Sequence, residues 1–187
     1  ALSETCHKYG LYLFLDGARL GYGLAAPDND LTLPEIAALC DVFYIGGTKV
    51  GALFGEAVVI KNPELAQDFR YLIKQNGGML AKGRLLGLQF DALFTDGLYQ
   101  EISAHAIAMA EKLREAFTAK GYNYLAPNRT NQIFVIVPDA HLAKISEQFE
   151  YSYDQRIDAT HSCVRFCTSW ATKEENVDAL IRCVEKL

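Results

Sequence analysis

Two residues of this chain carry side chains that can act together on one small molecule. Asp16 follows the apolar run Leu-Tyr-Leu-Phe-Leu at 11–15, and Lys49 follows Val-Phe-Tyr-Ile at 42–45 through Gly46-Gly47-Thr48. A lysine amine partly withdrawn from water loses basicity and becomes able to attack a carbonyl carbon, which is what Schiff-base chemistry needs. Gly46, Gly47 and Gly51 are small neighbours that leave room for a planar group beside it. A carboxylate facing a pyridine nitrogen keeps that nitrogen protonated and turns a pyridoxal ring into an electron sink. Thr48 offers a hydroxyl to a phosphate. The same pair has a plainer reading, Asp16 as a turn cap and Lys49 as a solvated strand-end lysine, and spacing alone favours it.

For the acid and the amine to meet, their strands must end on the same edge of a sheet. Both apolar runs read as short buried strands. Between them, Thr32-Leu-Pro-Glu35 has the spacing of a capping box with Pro in the first turn, opening a short helix over 34–40. Strand, helix, strand is a βαβ unit, which implies parallel strands joined by a right-handed crossover. The C-terminal rim of such a sheet is where ligands bind. A third strand over 57–60 stops at Asn62-Pro63.

The rest of the chain is read more coarsely. Residues 1–9 resemble the end of an amphipathic helix, stopped by Gly10. Residues 64–95 are helical in pattern but broken at Asn76-Gly77-Gly78, where glycine permits backbone angles that other residues resist. Residues 99–120 form a long amphipathic helix with Ile102, Ala106, Met109, Leu113 and Phe117 on one face, ended by Gly121. Strands follow over 132–137, 151–157 (at an edge) and 164–168. Asp139 is placed to cap a short helix to Phe149, and Thr172-Lys-Glu-Glu175 reads as a second capping box opening a helix to Leu187. The division this suggests is 1–62, a helical linker over 63–98, and a small α/β domain over 99–187.

Composition narrows the function. Half of the 187 residues are hydrophobic, 22% are charged and the net charge is −5 with no basic block, an ordinary globular balance that asks for neither nucleic acid nor an anionic membrane. No apolar run nears the roughly 18 residues that span a bilayer, and no secretory signal opens the chain. Five irregularly spaced cysteines suit reduced thiols and a cytoplasmic location. His161, Cys163 and Cys167 share one face of an extended strand, yet their spacing fits none of the common zinc patterns, so no metal is expected. The chain begins at Ala1 with a helix already under way, which suggests a part of something longer.

The ordered set Asp16-Gly17-Ala18-Arg19, Tyr44-Ile-Gly-Gly-Thr-Lys49, Gly77-Gly78-Met79, Thr130-Asn131 and Val164-Arg165-Phe166 with Thr168-Ser-Trp-Ala-Thr172 resembles the threonine aldolase and β-eliminating lyase family. That family belongs to the fold-type-I pyridoxal-phosphate enzymes. The resemblance implies an α/β fold, namely the C-terminal part of an aspartate-aminotransferase-like large-domain sheet followed by a small α/β domain. It implies that Lys49 carries pyridoxal 5'-phosphate, that Asp16 pairs with the pyridine nitrogen, that Ala18 lies beneath the ring, and that Arg19 and Arg165 bind the substrate α-carboxylate. The implied reaction is cleavage of a β-hydroxy-α-amino acid to glycine and an aldehyde, in a homodimer or homotetramer.

Two departures accompany the resemblance. The family's N-terminal half, with its glycine-rich phosphate-binding segment, has no counterpart here. Many aldolases of the family carry an Arg soon after Gly-Gly-Met, where this chain has Leu80-Ala81-Lys82, leaving Lys82 or Arg84 as the candidate phosphate contact. A β-eliminating lyase or aminotransferase would use the same Asp16 and Lys49. A non-enzymatic alternative is a part that serves only structure and oligomerisation.

Overall fold

The computed structural model describes all 187 residues, and their contacts fall into two units, residues 1–24 with 29–101 and residues 25–28 with 102–187. The first unit carries α1 (Leu2–Lys8), β1 (Phe14–Leu15), α2 (Leu20–Leu24), α3 (Leu33–Leu39), β2 (Val42–Gly46), β3 (Glu56–Ile60), α4 (Pro63–Ala66), α5 (Phe69–Gln75) and α6 (Arg84–Phe94). Helix α3 starts as its sequence dictates. Glu35 Oε2 accepts the Thr32 backbone N–H at 2.7 Å, and Pro34, which has no N–H to lose, sits in the first turn.

Strand β1 pairs parallel to β2, Phe14 opposite Val42 and Leu15 opposite Phe43, so the expected βαβ connection is present. Strand β3 returns antiparallel to β2, with Val42 opposite Ile60, because the loop over residues 47–55 rather than a crossover helix joins them. Phe43 and Ile45 alternate into the core with Leu20, Ile36 and Val50. The run 11–15 departs from expectation. Only Phe14 and Leu15 form strand, and Leu11, Tyr12 and Phe14 are each 58% exposed rather than buried. Within this chain β1 takes a ladder on one side only, from β2. Gly77 takes φ +77°, the left-handed turn that its sequence context anticipated.

The second unit is built on α7 (Leu98–Ala119) from Ile102 onward, its first turn with Tyr99 belonging to the first unit, and on β4 (Asn123–Tyr124), β5 (Gln132–Pro138), α8 (Asp139–Ile145), β6 (Ser152–Arg156), β7 (His161–Cys167) and α9 (Glu174–Glu185). Its strands form an antiparallel sheet in the order β4-β5-β7-β6. Ile133, Val135 and Val137 point to one face at the period of two that a half-buried strand requires, and meet Met109, Leu113 and Phe117 of α7 and Val177, Leu180 and Val184 of α9 in one core.

Two expected caps are absent. Pro138 holds the N-cap position of α8, which ends at Ile145. Asp139 accepts from the Ser162 hydroxyl at 2.8 Å and pairs with Arg156 instead. Helix α9 starts after Lys173 because Thr172 Oγ1 is used to accept the Ser169 N–H at 2.8 Å, while Glu174 pairs with Lys112. His161 bonds Asp158 and Thr160, and no group of three or more His, Cys, Asp or Glu side chains is placed to hold a metal ion.

Phe117 is fully buried, with its ring centroid 5.3 Å from Phe166 and 5.9 Å from Tyr122. Phe117→Ala is expected to cost about 3–5 kcal/mol through lost transfer energy and a residual cavity. Denaturant unfolding followed by Trp170 fluorescence measures this, the chain having 1 Trp.

Candidate active site

The segments that follow β1 and β2 are held together by glycine. Gly17 and Gly46 stack backbone to backbone, the Gly46 N–H donating to the Gly17 carbonyl at 2.9 Å. A Cβ on Gly17 would fall 1.7 Å from the Tyr44 carbonyl oxygen, and one on Gly46 would fall 2.4 Å from that of Ala18. Only residues without a side chain permit this approach. Tyr99, at the start of α7, braces the same pair. Its buried hydroxyl accepts the Gly21 N–H at 3.0 Å and donates to the Gly46 carbonyl at 3.1 Å, and burial pushes the phenol up to about 12.

The loop carrying Lys49 is fixed from several sides. The Gly47 carbonyl accepts from Val50 and Ala52 N–H at 2.9 and 3.0 Å, while the Gly47 N–H donates to Glu56 Oε2 at 2.8 Å. The Tyr22 hydroxyl donates to the Lys49 carbonyl. Gln89 of α6 accepts the Leu53 N–H at 2.7 Å and donates to the Phe54 carbonyl at 3.1 Å. Val50 is wholly buried, which turns Thr48 and Lys49 outward. Lys49 is therefore exposed, not partly buried as expected from the strand it follows. The glycines also serve a different purpose from the one anticipated. A Cβ on Gly47 would meet the Gly55 carbonyl oxygen at 2.7 Å and Phe90 at 2.8 Å, so the space beside Gly46 and Gly47 is filled by protein.

Asp16 stands exposed just past β1, with its side chain hydrogen-bonded. Its Oδ1 accepts both the Tyr44 hydroxyl and the Ala18 N–H, the latter at 3.1 Å. The Tyr44 bond, then the Ala18 N–H, and then the charges of Lys49 and Arg19 hold the Asp16 carboxyl below the usual carboxylate range. Tyr44 is pushed up to about 12, chiefly by its bond to Asp16. Asp16, Ala18, Arg19, Thr48 and Lys49 all belong to the first unit, and the two charged residues predicted to face one ligand sit on neighbouring parallel strand ends. Arg165 belongs to the second unit, on β7. Its Nη1 donates to Gln132 Oε1 at 3.2 Å and its Nη2 to Ser152 Oγ at 3.5 Å. Its guanidinium lies 6.0 Å from the Phe134 ring centroid, and its Nε is buried with no partner.

Sequence reasoning passed over Tyr44, Tyr22, Tyr99 and Glu56. Tyr44 could have been found as a hydroxyl inside an apolar strand, two residues before Gly46. Tyr99 had no local signal, because it reaches Gly46 from 53 residues away.

The α/β frame, with an acid and a lysine past the ends of adjacent parallel strands, is that of the fold-type-I pyridoxal-phosphate enzyme class. Serine palmitoyltransferase of Sphingomonas wittichii shares that fold at a TM-score of 0.69 and 16% identity, over 99% of this chain and 49% of that one. The model of the beta-eliminating lyase family matches residues 1–140, and the chain belongs to that family. The low specificity L-threonine aldolase of Pseudomonas sp. (strain NCIMB 10558) is 32% identical over 184 residues, 96% of this chain and 51% of that protein. The threonine aldolase of Leishmania major superposes with a TM-score of 0.96 at 42% identity, over 99% of this chain and 54% of that one. The chain thus spans about half the length of the relatives it matches.

Gly46→Ala is expected to force the two loops apart and to destabilise the chain by about 1–3 kcal/mol, because the atom in the way is backbone and cannot rotate aside. Thermal unfolding of the variant against the parent measures the loss.

Proposed function

We propose that this chain supplies the lysine, the acid and a carboxylate-binding arginine of a pyridoxal-phosphate-dependent lyase that cleaves the Cα–Cβ bond of β-hydroxy-α-amino acids, giving glycine and an aldehyde. The observation that carries this reading is the pairing of Asp16 and Lys49 on adjacent strand ends, locked by the Gly17–Gly46 contact. Membership of the family and two threonine aldolase relatives support the reaction class.

The residues fit the cofactor by their chemistry. Asp16 is a carboxylate held in its charged form, with one oxygen, Oδ2, taking no hydrogen bond from the chain. Lys49 is an amine with no carboxylate partner within ion-pair distance, open to solvent and so open to an aldehyde. When bound, pyridoxal phosphate supplies a sink for the electron pair left on Cα. Lys49 would hold the cofactor through its side-chain amine, and that amine could also take up or return a proton at the site. Asp16 would help to keep the pyridine nitrogen protonated by presenting a negative charge. Thr48 would donate to the phosphate and Ala18 would pack under the ring. Lys82 or Arg84 would add a phosphate contact.

Arg165 would bind the substrate α-carboxylate together with Arg19. A buried guanidinium N–H without an acceptor is costly, and a ligand carboxylate would satisfy it. The assembly is proposed to be a homodimer or homotetramer.

Borohydride reduction of the full-length chain with pyridoxal phosphate is expected to fix the cofactor on Lys49, and Lys49→Ala to abolish the adduct. An adduct that persists in Lys49→Ala would remove the assignment. Glycine and acetaldehyde released from threonine support the aldolase, whereas a 2-oxo acid and ammonia would make it a β-eliminating lyase. Arg165→Lys is expected to raise KM for amino acid substrates on the order of 10–100-fold, the loss of a charged, bidentate hydrogen bond, while leaving cofactor affinity unchanged. Steady-state kinetics beside a cofactor titration separate the two effects.

A further inference from the structure

Tyr44 lies in β2, two residues before Gly46, and its hydroxyl donates to Asp16 Oδ1, the same oxygen that takes the Ala18 N–H at 3.1 Å. A carboxylate oxygen has two lone-pair positions, so these two donors fill Oδ1. Oδ2 takes no hydrogen bond from the chain. The carboxylate is therefore fixed in its rotation by bonds to one oxygen alone, which leaves the other in a set direction. We propose that Tyr44 is a positioning residue for Asp16: with the Ala18 N–H it saturates Oδ1, holds the carboxylate still and ionised, and so reserves Oδ2 for the pyridine N–H of the cofactor. This inference rests on the reading of Asp16 as the cofactor's acid.

Within this chain Asp16 is exposed, and the hydrogen bonds that orient its carboxylate come from Tyr44 and Ala18. A phenol is suited to the task. It donates one strong bond, it carries no charge that would oppose the ring nitrogen, and its bond to Asp16 raises its own pKa to about 12, so it stays protonated and remains a donor at neutral pH. The charged groups that reach the pair are Lys49 after β2, Arg19 on Asp16's own segment, and Glu56 at the start of β3, whose charge reaches Tyr44. Lys49 and Arg19 favour an ionised Asp16. Glu56, like Asp16, favours a protonated Tyr44. All of them therefore support the same hydrogen bond.

The ring of Tyr44 also packs at 6.1 Å on Phe14, so a purely structural role must be separated from that of the hydroxyl. Tyr44→Phe keeps the ring and removes the donor, whereas Phe14→Leu alters the ring contact and keeps the donor. The bond favours the ionised carboxyl, so its removal raises the pH at which Asp16 takes up a proton. Cofactor affinity in the full-length protein is therefore expected to fall about 3–10-fold in Tyr44→Phe at neutral pH, the worth of one hydrogen bond. The acid limb of the affinity profile moves to higher pH, and Phe14→Leu leaves that limb in place.

The proposal is overturned if Tyr44→Phe binds pyridoxal phosphate with the parent's affinity and acid limb, or if Phe14→Leu moves the limb as far. A parent protein that forms no Lys49-dependent adduct would instead bring down the reading of the site, and the role given to Tyr44 with it. That outcome is told apart by a ¹³C carboxyl titration of Asp16 without cofactor, which Tyr44→Phe shifts upward wherever the hydrogen bond itself is real.

Discussion

The Gly46 N–H donates to the Gly17 carbonyl at 2.9 Å, and at that spacing neither residue can carry a Cβ. The rest of the candidate site is arranged around this contact. It brings the segment after β1 onto the segment after β2, which puts Asp16 within reach of the Tyr44 hydroxyl and within the field of Lys49. Tyr99 reinforces it from the start of a helix by bonding to the N–H of Gly21 and the carbonyl of Gly46. A contact between two backbones is rigid in a way that a side-chain contact is not, because it has no rotamers to lose or exchange.

Preorganisation at this site comes from hydrogen bonding. The bonds from Tyr44 and Ala18 lead the causes that lower the Asp16 carboxyl. The acid is governed by two donors on one oxygen, and the lysine by the loop beneath it, where Val50 is buried and Glu56 caps the Gly47 N–H. Arg165 follows the same pattern in the second unit. Gln132 and Ser152 hold its two terminal nitrogens and Phe134 lies against its plane, while the buried Nε has no partner. In each case the chain satisfies part of a polar group and leaves one atom in a defined position.

Much of this was legible in the residues. The apolar runs before Asp16 and Lys49, with Thr32, Pro34 and Glu35 between them, dictated a parallel pair and its crossover helix, since caps and periodicity are local properties. The ordered motifs through Arg165 pointed to the family. What could not be read was set by tertiary partners. The Thr172 hydroxyl is taken by Ser169, so a capping box written in sequence is not formed. Asp139 is drawn away by Arg156 and Ser162 in the same manner. The glycines near Lys49 suggested space for a ligand, whereas they accommodate Ala18, Gly55 and Phe90, none of which is a sequence neighbour close enough to predict.

The way β2 is held has a consequence for the loop that follows it. Strand β2 takes β1 on one side and sets five residues in register with β3 on the other. The loop carrying Lys49 leaves one strand of this antiparallel pair and returns into its partner, so both of its ends are tied to the same ladder. A segment tethered in this way has few movements open to it that leave the ladder whole.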